Sequence, residues 1–82
     1  MNREERHSAI RRFIFSHDPM RSSEIATELN TREQFDPPIS DYEVRGIKAW
    51  LLRNIQSGRE ITEINMSVYD ADDIIRRLSE DQ

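Results

Sequence analysis

The sequence predicts a mainly α fold, a small bundle of about four helices with a short extended arm, and three observations carry that expectation. Apolar residues recur at three- and four-residue spacing through most of the 82 positions, as in Ala9, Ile10, Phe13 and Ile14. Residues suited to accept the free amides of a helix start stand ahead of those runs, at Ser22 or Ser23, Ser40 and Asp70. Prolines separate the runs, at Pro19 and at Pro37-Pro38, where helical geometry is disfavoured. A chain of this length supports one domain with one small core, so residues 1–82 are expected to fold together.

The first helix is expected over residues 2–16, ending at Ser16-His17-Asp18-Pro19. A second, about two turns long, follows Ser22 or Ser23 and turns Ile25, Ala26 and Leu29 inward. Residues 30–39 read as a loop because of Asp36-Pro37-Pro38. Ser40-Asp41-Tyr42-Glu43 then has the form of a capping box, in which the Ser40 hydroxyl and the Glu43 carboxylate each accept the other's backbone amide. It opens a helix with Val44, Ile47, Leu51 and Ile55 as its buried stripe, Trp50 at the stripe's edge, and Ser57-Gly58 as its stop. Gly46 inside it signals either a close helix crossing or a tolerated defect of about 1 kcal/mol.

From Glu60 to Val68 the alternation of Ile64, Met66 and Val68 with polar residues predicts the extended arm. A last helix follows the Asp70 cap, with Asp72 and Asp73 in its first turn, Ile74, Ile75 and Leu78 as its apolar positions, and Arg76 and Arg77 nearer its end. The last four residues are expected to fray.

Composition removes several function classes. Without cysteine there is no disulfide framework, thiolate metal site or cysteine nucleophile, which fits a reducing, cytoplasmic setting. No segment approaches the ~20 apolar residues of a membrane span, and the Arg- and Glu-rich start lacks the apolar centre of a signal peptide. His7 and His17 are ten residues apart with no third ligand at a recognisable spacing, so neither a metal nor any other cofactor is expected. Asp70-Ala71-Asp72-Asp73 lacks the glycine and distant glutamate of a calcium loop and is better explained as a cap. No glycine-rich loop exists to cradle a phosphate, and so small a core offers no sheltered pocket to tune a carboxylate; catalysis is not expected.

Charge is unevenly spread. The chain carries a formal net charge of -4, yet residues 44–59 hold Arg45, Lys48, Arg53 and Arg59 and no acid, for a local +4, between segments 17–43 and 60–82 of -5 each. A polyanion responds to such a local field more than to the total. On the expected helix, Asp41, Arg45, Lys48 and Leu52 lie opposite the buried stripe, with Tyr42, Ala49 and Arg53 beside them.

His17-Asp18-Pro19-Met20-Arg21-Ser22-Ser23-Glu24-Ile25-Ala26-Thr27-Glu28-Leu29, followed by the capped helix from Ser40, resembles the core of winged helix-turn-helix DNA-binding domains over about residues 8–56. In such domains a short helix with an E-I-A-x-x-L pattern props a longer recognition helix in the major groove. The resemblance implies a recognition helix at residues 40–56. The connection at 30–39 is longer than the usual tight turn, and no two-strand wing is evident after residue 56.

Candidate DNA contacts are therefore Arg45 for guanine, Lys48 for base or phosphate, Arg53 and Arg59 for phosphate, and Tyr42 and Ala49 on the same face. The leading expectation is a small DNA-binding transcription regulator or architectural protein, working as a homodimer on double-stranded DNA, because one helix with few phosphate contacts binds weakly alone. The alternative is an interaction module, such as an inhibitor, adaptor or antirepressor, that presents acidic and apolar surfaces to a protein partner. A third possibility is the DNA-free wing of a larger assembly, in which Phe15, Phe35, Leu52 and Tyr69, left without core partners by the helical pattern, would mark a dimer or partner surface if they cluster.

Overall fold

Apolar spacing and start signals place four helices in order in the computed structural model, which describes residues 1–61 and 64–80 and all but the side chain of Met66 among them. They are α1 (Arg3–Ser16), α2 (Ser22–Arg32), α3 (Asp41–Gln56) and α4 (Ala71–Ser79), with a 3₁₀ turn at Met66–Val68 ahead of α4. Their apolar faces meet in one core built on Ile10, Phe13, Ile14, Ile25, Leu29, Val44, Ile47, Leu51, Ile74 and Leu78.

The start of α1 is set by a capping box that reciprocally joins Asn2 and Glu5. Its C-terminal turn contains no basic residue of its own; α4 supplies one. The Arg77 guanidinium donates to the carbonyls of Ile14, at 2.9 Å, and His17, while its Nε pairs with Asp73 Oδ2 at 3.0 Å. This cap from α4 places positive charge where the α1 dipole is negative.

Helix α2 runs three turns rather than two, and Thr27 and Thr31 within it donate their hydroxyls to carbonyls one turn back, at 3.0 and 2.8 Å, without interrupting it. Neither serine caps it. Arg21 holds the cap position without a side-chain bond, and Ser22 is completely buried. The shortened connection to α3 is pinned by Asn30, whose amide donates to Ile39 O at 2.8 Å and accepts from Ile39 N at 2.9 Å. Phe35 and Ile39 anchor it in the core.

After α3, Gly58 at φ +81° ends the helix: its amide bonds Ile55 O and the Arg59 amide bonds Asn54 O, a Schellman closure. The extended arm is corrected. Among the described residues there is no strand; Ile61 and Ile64 are both buried, the Ile64 amide bonds Ile61 O at 3.1 Å, and Val68 stands 68% exposed. Three-residue spacing of isoleucines, seated by a turn, prevails over the two-residue alternation. Thr62 and Glu63 of that arm lie outside the described residues, as do Asp81 and Gln82 of the tail expected to fray.

Two further corrections concern apolar side chains. Ile75 is 53% exposed and contributes nothing to the core. Phe15 and Phe35 are buried, and Leu52 and Tyr69 pack against the core, Tyr69 edge-on to Phe15 with its hydroxyl on Phe15 O. These four form no exposed patch, so the interaction surface they were expected to mark is absent.

Candidate nucleic-acid interface

The start of α3 is only half a capping box. Ser40 Oγ accepts the Glu43 amide at 3.1 Å, but the Glu43 carboxylate turns away to Arg6 of α1. Arg6 Nε and Nη2 reach its two oxygens at 3.1 and 2.7 Å, Nη1 donates to Pro37 O, and the guanidinium lies 5.8 Å from the Phe35 ring centre. A two-pronged ion pair of this kind is stronger than the cap bond it displaces. The Glu43 hydrogen bond raises the Arg6 pKa above its ordinary value, against the cost of burial. One of two carboxylates at the helix start is thereby neutralised. The other, Asp41, stands 3.5 Å from Arg45 in an exposed pair of small energetic weight.

Lys48 is the principal correction among the expected contacts. It is 1% exposed, and its Nζ donates to Met20 O at 2.8 Å, tying α3 to the α1–α2 connection. In this position it cannot meet a duplex. The physical reason lies in its register: Lys48 follows Val44 by four residues and precedes Leu51 by three, so helical geometry places it on the buried stripe. Its aliphatic stem fills the core and its charge finds a carbonyl. Asn54 is likewise buried, donating to Trp50 O at 2.7 Å.

The remaining expected residues face outward. Tyr42, at 83% exposed, shares with Arg45, Ala49 and Arg53 the solvent side of α3, over about 16 Å of helix. Gly46 lies among them, and a Cβ built on it meets nothing within 4 Å, so no close crossing requires the glycine. Arg59 is exposed beyond the helix end, with Nη1 on Asn54 Oδ1 at 3.2 Å.

Beside this face, between α3 and α1, runs a groove the helical pattern alone does not disclose. Two adjoining cavities of about 280 Å³ each share Arg3, His7 and Trp50 in their walls; Arg11 lines one, and Gly46 and Arg53 the other. Trp50 is half-buried, edge-on to His7 at 4.7 Å, with the Arg11 guanidinium 5.5 Å from its ring centre and donating to His7 Nδ1. His17 instead stacks on Phe13 at 3.9 Å, at the far end of α1. Among the described residues no three acids or histidines are grouped to hold a metal ion. No helix is long and apolar enough to cross a membrane among them either. Set against known proteins, the chain matches no family model, no curated protein and no solved structure.

Proposed function

We propose that this chain is a small, non-catalytic DNA-binding module, a transcription regulator or architectural protein, that docks the outer face of α3 on double-stranded DNA. The observation that carries the reading is the joint exposure of Tyr42, Arg45, Ala49 and Arg53 on one side of α3, while Arg6 occupies the Glu43 carboxylate that would oppose phosphate. Arg45 offers a guanidinium to a base edge, and Arg53 and Arg59 to phosphates. The packing of Ile25, Ala26 and Leu29 of α2 into the shared core supports a helix-turn-helix arrangement of α2 and α3. Two copies on adjacent half-sites would compensate for the few contacts of one.

Titration of fluorescent duplex DNA at low ionic strength, with affinity followed as salt rises, tests the reading. Binding that weakens steeply with salt is expected, and a folded protein with no detectable binding at low salt disposes of it.

The exposed Tyr42 beside the open surface at Gly46 and Ala49 favours a second reading, a protein partner seated on the same face, since tyrosine and arginine anchor protein interfaces. Charge reversal separates the two. Arg45→Glu with Arg53→Glu abolishes DNA binding under the first reading, whereas under the second the folded, unaltered chain shows no salt-dependent duplex binding for these substitutions to remove.

A further inference from the structure

We infer that the groove between α1 and α3 is a phosphate-binding site, its occupant the sugar–phosphate backbone that flanks the base pairs read by α3. The assignment of backbone as the source of phosphate rests on the DNA-binding reading; the phosphate chemistry rests on the groove itself. Three guanidinium groups, of Arg3, Arg11 and Arg53, line two joined cavities of about 280 Å³, a size that admits phosphoryl groups. They come from two different helices, so the cationic lining is a product of the fold and not of one run of sequence. Of the carboxylates in the same walls, Glu43 is bound to Arg6, which leaves Glu4 against Arg3 and Arg53.

Arg3 is the most telling member. It is exposed in the first turn of α1, where the helix dipole disfavours a cation, and no acid among the described residues pairs with it. Local stability gives no reason for an arginine there. An anionic ligand does. Arg53 also lacks a carboxylate partner among the described residues and stands where the groove opens onto the outer face of α3, so one strand can touch both surfaces.

The chain's only tryptophan, Trp50, lines both cavities and reports occupancy. Its fluorescence is to be followed during separate titrations with inorganic pyrophosphate and with a duplex oligonucleotide, for the unaltered chain and for Arg3→Gln, Glu4→Gln and Arg45→Glu. Both titrants are expected to change the emission. Arg3→Gln should weaken each at least about five-fold and lower the salt slope for DNA by about one, as for the loss of one phosphate contact. Glu4→Gln should tighten both, and Arg45→Glu should weaken DNA alone. Pyrophosphate and duplex constants that Arg3→Gln and Glu4→Gln leave unchanged would overturn the inference, even if Arg45→Glu shows that DNA binds. Arg3-dependent pyrophosphate binding without any duplex binding keeps the groove as a phosphate site and overturns the DNA-binding reading instead. Because Arg3 is exposed and its replacement relieves an unfavourable dipole contact, the variant retains the fold.

Discussion

A buried ammonium ion must find an oxygen, and Lys48 finds the Met20 carbonyl. Removing the side chain loses both the packed stem and the bond to the Met20 carbonyl. Lys48→Ala is expected to cost roughly 1–3 kcal/mol in chemical denaturation, whereas Arg45→Ala, on an exposed side chain, should shift stability by less than about 0.5 kcal/mol. The opposite ranking would return Lys48 to the surface. Arg6 reaches the start of α3 from a different helix. Arg6→Ala leaves a half-buried Glu43 carboxylate without its partner, so stability should fall by about 1–3 kcal/mol and duplex affinity should fall with it. The burial of Lys48 was readable from its spacing relative to Val44 and Leu51; reading its charge as exposure gave the wrong face. The Arg6–Glu43 pair, 37 residues apart in sequence, carries no local signal.

Among the elements, the two glycines make opposite demands. Gly46 faces open space within α3, so Gly46→Ala should stabilise the chain by about 1 kcal/mol, read as a higher denaturation midpoint. Gly58 holds φ at +81° in the Schellman closure, and Gly58→Ala should destabilise by about 1–2 kcal/mol. Two helix starts were plain in the sequence, since Ser40 and Asp70 cap as expected, Asp70 accepting the Asp73 amide at 2.7 Å, whereas the serine cap expected for α2 does not form. The Asn2–Glu5 capping box of α1, which has the same spacing, was not among the expected starts. The segment after α3 was not readable, because Ile61, Ile64, Met66 and Val68 satisfy a two-residue and a three-residue period in part, and only packing on the core decides between them. The reach of Arg77 to the end of α1 is of the same kind, since it depends on where α4 docks.

At the scale of the whole molecule, a net charge of -4 coexists with a cationic region assembled from Arg3 and Arg11 of α1 and Arg45 and Arg53 of α3. Segment charge pointed to the α3 half of that region, but the α1 half became visible only when the two helices packed. The acidic remainder repels a polyanion from other directions, so docking should be oriented and strongly dependent on salt. The most direct measurement compares the affinity of the unaltered chain for duplex DNA at low salt with that of Arg45→Glu/Arg53→Glu, after circular dichroism has shown both to be folded. A DNA-docking α3 predicts salt-sensitive binding by the first and a loss of at least a hundred-fold in the second, roughly 2.7 kcal/mol. Equal affinities, or no binding by the unaltered chain, would contradict it.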